Sequence, residues 1–138
     1  MIVIVTGSRD WTDRETIRAA LCQFPPDDTT VFHGDARGAD TIAAEEAASM
    51  GFAVRAFPAD WKKYGRRAGP IRNGDMADAA HYGEAFEDDT VRVLAFPLPK
   101  SAGTWDMVRR AEVHGWEVQV HKPAGKVTDR RWPPMRGM

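Results

Sequence analysis

Cysteine is nearly absent from this chain of 138 residues, with Cys22 the single example. An intrachain disulfide or a thiolate zinc cluster needs more thiols than that, so both are excluded and a reducing compartment is expected. The helical setting of Cys22 predicts a buried, inert thiol. An excess of one charge is lacking too. The 19 basic side chains face 20 acidic ones for a formal net charge of -1, which argues against a general affinity for nucleic acid or for an anionic membrane. Long apolar runs are missing, and Met1 leads straight into Ile2-Val3-Ile4-Val5 with no cationic leader or cleavage site. Neither membrane insertion nor secretion is therefore expected, and the default location is cytoplasmic. The turn Gly7-Ser8-Arg9-Asp10-Trp11 is neither Gly-x-Gly-x-x-Gly nor a Walker loop ending in Gly-Lys-Ser/Thr, so an ordinary dinucleotide enzyme and a P-loop nucleotidase are both unsupported. No linker, internal repeat or low-complexity tract interrupts the chain.

What is present is an alternation of strand and helix. At 138 residues and 43% hydrophobic content, one sizeable core is possible but not two. The β-branched run at residues 2–5 predicts a central strand buried on both faces. Thr12 and Glu15 make a Thr-x-x-Glu helix start, Ile17, Ala20, Leu21 and Phe24 recur at helical spacing, and Pro25-Pro26 stops the helix. A second strand over 30–32 precedes a helix from about Ala39 that buries Ala43, Ala47 and Met50 and ends at Gly51. A third strand over 52–57 leads into a loop over 58–69, longer than a compact α/β unit needs. Pro70 suits the first turn of a helix reaching about His81. Residues 91–96 form the fourth strand, a helix over 104–114 buries Met107, Val108 and Ala111 before Gly115, and Trp116, Val118 and Val120 alternate as a last strand near an edge. The predicted fold class is α/β: a single-domain, Rossmann-like parallel-sheet sandwich with helices on both faces, spanning 1–121. A basic, proline-containing tail over 122–138 is expected to be irregular. Residues 55–72 are rich in Lys and Arg and residues 84–89 in Asp and Glu, which makes opposite local fields.

In a parallel sheet the loops after the strands all lie at one edge, where open α/β folds hold ligands. Gly7 lets the backbone turn and approach a ligand, Ser8 offers a hydroxyl and an amide, and with Arg9 and the following helix start they suit an anion such as phosphate. The plainer reading is a tight turn with Asp10 as a cap. In the next loop, His33-Gly34-Asp35-Ala36-Arg37-Gly38-Ala39-Asp40, Gly34 and Gly38 would admit a ribose or phosphate, and Asp35 or Asp40 would accept from sugar hydroxyls. Alternatively, Asp40 is an N-cap and Arg37 is solvated. His33, Asp35 and Asp40 lack a recognised metal-ligand spacing, so no metal is predicted. Arg72 can hold a phosphate bidentately and Asn73 can bond a base or sugar. Ser101-Ala102-Gly103-Thr104 again aims amides and a hydroxyl at an anion, and Asp106 reads as a dipole partner. Trp11, Trp61 and Trp105 lie in or beside these loops. Each can stack on a base, and packing is expected for at least two of them.

These motifs, together with Phe57-Pro58-Ala59-Asp60-Trp61, Tyr64-Gly65 and Gly69-Pro70-Ile71-Arg72-Asn73 with Met76, resemble the YspA-related group of the SLOG superfamily, found in bacteria and phages. The resemblance spans about residues 2–120. It implies a Rossmann-like fold and a nucleotide or nucleotide-derived ligand, with no other cofactor required. Gly7, Ser8, Arg9, Gly34, Asp35, Gly38, Asp40, Arg72, Asn73, Gly103 and Thr104 are the expected ligand-binding residues. The superfamily includes the LOG phosphoribohydrolases, whose Pro-Gly-Gly-x-Gly-Thr-x-x-Glu motif is matched here at Gly103-Thr104, and whose Arg-x-x-x-Met spacing is matched by Arg72 and Met76. The motif glutamate, however, is Met107. A thioether cannot activate water or stabilise an oxocarbenium-like centre, so phosphate binding carries over better than hydrolysis. The leading expectation is sensing or sequestering of a nucleotide-derived ligand. The alternatives are phosphoribohydrolase-like cleavage of a nucleoside monophosphate, using a relocated carboxylate, and a DprA-like nucleic-acid module supported by Tyr64, Arg66, Arg67 and the basic tail. The resemblance also implies self-association as a homodimer.

Overall fold

Successive side chains of the first strand, β1 (Ile2–Gly7), part to opposite sides, as the period of a strand requires. Val3 and Val5 enter one core while Ile2 and Ile4 enter another. This is seen in a computed structural model that describes residues 1–83 and 90–123. Around β1 lie β2 (Thr30–His33), β3 (Ala53–Ala56), β4 (Val91–Phe96) and β5 (Glu117–Val120). The sheet order is β3-β2-β1-β4-β5 and every pairing is parallel. The chain is therefore the α/β sandwich expected from its sequence.

Helices cover both faces. α1 (Arg14–Leu21) and α2 (Ala39–Ser49) set Ile17, Leu21, Ala43 and Ala47 against Val3, Val5, Val31 and Leu94. α4 (Ala68–Asp78) and α5 (Ala102–His114) set Met76, Ala77, Met107 and Ala111 against Ile2, Ile4, Phe32 and Val93. Ile4, Ile17 and Leu21 have no exposed surface, and each such side chain contributes about 1.5–3 kcal/mol by leaving water. Among the described residues no helix is long and apolar enough to cross a membrane.

Several boundaries differ from expectation. α1 is capped by Asp13, not Thr12. Its carboxylate accepts from the Thr16 amide at 3.2 Å and from the Thr16 hydroxyl at 2.6 Å, since a charged acceptor suits the positive end of the helix better than a hydroxyl. The helix ends at Leu21, before the prolines, where the Gln23 side chain donates to the Ala20 carbonyl at 2.9 Å. Cys22 is exposed rather than buried, because the buried stripe is Ile17, Ala20, Leu21 and Phe24 and the cap position turns away from it. Met50 is only half-buried. The third strand is shorter than predicted, and all four of its residues are exposed at the edge.

The stretch over 58–69 is not an open loop. It holds a four-residue helix, α3 (Trp61–Tyr64), and a 3-10 turn (Gly65–Arg67) before α4 begins at Ala68. Asp60 starts α3 by accepting from the Lys63 amide at 3.0 Å, a cap that composition alone hides among prolines and glycines. α4 loosens into a π-type turn over Ala79–Gly83. The acidic segment 84–89 and most of the basic tail, 124–138, lie outside the described residues.

Candidate functional site

Strand order reverses between β1 and β4, so the loops after these strands leave in opposite directions and a crevice opens between them. The register pairs Val5 with His33 and Gly7 with Phe96, so β1 and β4 end level while β2 ends two residues short of them. The result is a cavity of about 580 Å³, within the range of small-molecule sites. Its walls come from Gly7 to Asp10, from Gly34 and Asp40, from Trp61, Arg66 and Arg72, and from Lys100 to Thr104. Two non-glycine residues have a left-handed backbone among the described residues, Asp35 (φ 56°) and Lys100 (φ 71°). Both sit in loops of this edge, where strain is commonly held.

The loop after β2 is bound into itself. Asp40, in the first turn of α2, turns its carboxylate back to accept from the Gly34 amide at 3.1 Å and the Ala36 amide at 3.3 Å, both at Oδ2. It is not the N-cap, a position held by Gly38. Asp40 Oδ1 is buried and has no hydrogen-bond partner among the described residues. Burial pushes the Asp40 carboxyl up to about 6, against the downward pull of the Ala36 and Gly34 amides and of the Arg72 charge, so desolvation wins. Beside it His33 is buried, which lowers its pKa. The neutral ring accepts the Asp35 amide at Nδ1, 3.0 Å away.

The glycines of this loop serve packing. A Cβ on Gly38, whose φ is +77°, would stand 2.5 Å from the Arg9 carbonyl oxygen. A Cβ on Gly34 would overlap the Arg72 guanidinium and stand 2.9 Å from Asp40 Oδ2. The room that the sequence suggests for a ribose is filled by the protein's own groups. Gly7 behaves alike, since a Cβ there would overlap Ala39.

Arg72 is aimed by a relay. Its Nη1 donates to the Gly34 carbonyl, and its Nε donates to Asn73 Oδ1 at 3.0 Å. Asn73 Nδ2 in turn donates to the Gly103 carbonyl at 3.2 Å and to Asp106 at 3.0 Å, while Arg110 donates to the same Asp106 oxygen at 3.0 Å. Asn73 is thus a positioning residue whose amide is spent on protein partners, and Asp106 is its anchor rather than only a dipole partner. Half-buried, Arg72 is desolvated, which lowers its pKa against the opposing pull of Asp40.

Ser8 has less to offer than expected, because its amide donates to the Phe96 carbonyl at 2.9 Å and its Oγ accepts from the Asp10 amide at 3.0 Å. The hydroxyl hydrogen is what it retains. The start of α5 is different. Ser101 Oγ accepts from the Leu98 amide at 2.9 Å and makes no cap bond to the helix. First-turn amides have no partner inside their own helix, so those of Ala102, Gly103 and Thr104 remain for a ligand. Nothing lies within 4 Å of a Cβ placed on Gly103.

Of the expected residues, Gly7, Ser8, Arg9, Gly34, Asp40, Arg72, Asn73, Gly103 and Thr104 line the cavity, and Asp35 and Gly38 do not. Arg109 also lines it and was missed. Its signal was helical spacing, since Ala102, Asp106 and Arg109 share one side of α5. Six cations, Arg9, Arg37, Arg66, Arg72, Lys100 and Arg109, face three carboxylates, Asp10, Asp40 and Asp106. Arg37 and Asp10 are exposed and pair at 3.6 Å. Met107, at the motif glutamate position, has no exposed surface and packs in the core. Trp11 is buried edge-on against Phe96 at 5.4 Å and Trp105 packs on the second core, so both serve structure. Among the described residues no three His, Cys, Asp or Glu side chains gather to hold a metal ion.

The sequence model of the family described as YspA, cpYpsA-related SLOG family matches residues 1–64. The Gene 61 protein of Mycobacterium phage D29 is 40% identical over 121 residues, covering 82% of this chain and 90% of that protein. No solved structure matches the chain.

Proposed function

The chain belongs to the YspA, cpYpsA-related SLOG family, and from that premise we propose that its strand-end cavity binds a nucleotide or nucleotide-derived ligand, which the protein senses or sequesters. The observation that carries this reading is charge. In a chain of net charge -1, the cavity gathers six cations against three carboxylates, beside the first-turn amides of α5. Clefts with such a balance draw anions, and the low-dielectric walls strengthen the field. The phosphate sits on the amides of Ala102, Gly103 and Thr104, and the planar Arg72 guanidinium grips it from the neighbouring helix α4.

A thermal-shift screen with mononucleotides, cyclic nucleotides and ADP-ribose derivatives tests the reading. A ligand at a hundred times its Kd stabilises by about 2.7 kcal/mol, and Arg72→Ala removes that gain. A flat profile across the whole screen rejects the proposal.

One observation favours a second reading, cleavage of an N-glycosidic bond. Asp40 lies on the cavity wall with its carboxyl pushed up to about 6, the range that suits a general acid or base near neutrality. It would take the place of the carboxylate that Met107 lacks. Free base and ribose phosphate appear on incubation with nucleoside monophosphates if this is right, and disappear in Asp40→Asn. An unchanged chromatogram at high protein concentration rejects it.

A further inference from the structure

Trp61 is the tryptophan of the ligand edge that the core does not use. It is 47% exposed and lines the cavity together with the cations Arg9, Arg66 and Arg72. Part of its surface faces the cleft, where an aromatic occupant would take it out of water. Its placement is built. Asp60 caps α3 directly ahead of it, and Gly69 lies close enough to the ring that an added Cβ would touch Cη2 at 3.4 Å. The ring already holds a flat guest, since the Arg9 guanidinium lies 4.9 Å from its centroid. Arg9 itself sits on the loop after β1.

We propose that Trp61 is the platform for the non-phosphate end of the ligand, and that this end is a flat aromatic ring system, a nucleobase, which takes the place of the Arg9 guanidinium on the indole face. This inference rests on the reading of the cavity as a phosphate site. Exchange of one planar partner for another keeps the ring covered before and after binding, so little is lost on entry. The released guanidinium stays within the mouth, where it adds to the cations that hold the phosphate. Stacking on indole tolerates any base, so the platform selects nucleotides over sugar phosphates rather than one base over another.

The test compares AMP, GMP, CMP and UMP with ribose 5-phosphate by calorimetric titration of the intact chain, its Trp61→Phe and its Trp61→Ala variants. At least one mononucleotide is expected to bind the wild type about 5- to 150-fold tighter than ribose 5-phosphate, the range that one stacked base supplies. Trp61→Phe keeps most of that margin. Trp61→Ala erases it, bringing the nucleotide and ribose 5-phosphate affinities together. The same mononucleotide changes the tryptophan emission of the wild type, and Trp61→Phe loses that change, which decides the matter if the alanine variant does not fold. Equal binding of nucleotides and ribose 5-phosphate by the wild type overturns the platform, as does a margin that survives in Trp61→Ala. Either result leaves the anion site standing if Arg72→Ala abolishes ribose 5-phosphate binding. No binding of any of these five probes overturns the platform, and the wider thermal-shift screen then decides the anion site.

Discussion

The loop after β2 and the start of α5 look alike on paper, each a run of small and polar residues between a strand and a helix. In three dimensions they are opposites. The first spends its polar groups on itself, with Asp40 holding two amides and Arg72 and Arg9 occupying the space beside Gly34 and Gly38. The second leaves its amides uncapped and keeps open space around Gly103. The lesson is that a missing side chain marks a close approach, and what approaches can be the protein as easily as a ligand. The closed loop positions Arg72, and the open one leaves donors and space for the proposed anion.

The contrast breaks most sharply at the two glycines and the carboxylate between them. Gly38→Ala is expected to cost about 3 kcal/mol or more, from a positive φ and from a clash with backbone that cannot step aside. Urea unfolding measures this, and a loss under about 1 kcal/mol, well below the typical range for such strain, would show that the loop is looser than it looks.

Asp40 makes the next prediction. Its folded pKa, about 6, lies above the ordinary value of 3.8, so the native state holds a proton that the unfolded chain releases. Ionised Asp40 therefore costs stability above pH 6, by about 3 kcal/mol at 1.36 kcal/mol per pH unit, and the cost fades as pH falls through 6 toward 4. Relative to Asp40→Asn, the wild type should gain up to that amount between pH 7 and pH 4. Parallel stability profiles for the two proteins would place the carboxyl in water.

Gly103→Ala gives the smallest change in folding, a gain of about 0.5–1 kcal/mol from helix propensity, because no atom crowds the new methyl. Yet it should weaken AMP binding several-fold by standing on the cavity wall. A thermal melt paired with a titration separates the two effects, and unaltered affinity would move the phosphate off α5.

Strand positions were the easiest features to read, because residues 2–5 are apolar without alternation and residues 91–96 are so apart from Arg92, the mark of strands covered on both faces. Local chemistry misled where two caps competed. Thr12 and Asp13 are adjacent, and only the folded chain shows which one meets the Thr16 amide. The cavity residues were legible from loop position, which is a property of parallel sheets. Their roles were not. Asn73 turns out to serve Gly103 and Asp106, remote in sequence, and Asp40 turns back on Gly34 and Ala36 of its own loop rather than toward a ligand. Arg109 was missed because it lies a full two turns into its helix, beyond any loop motif.

By itself the sequence determined the alternation of strand and helix, the two-faced burial of the central strands, and the edge at which loops converge. Each follows from periodicity and chirality acting over a few residues. Tertiary structure decided which glycines are filled and which are open, which carboxylate is buried and which tryptophan is left at the mouth. Those outcomes depend on groups dozens of residues apart competing for the same few ångströms, and no local pattern records the winner.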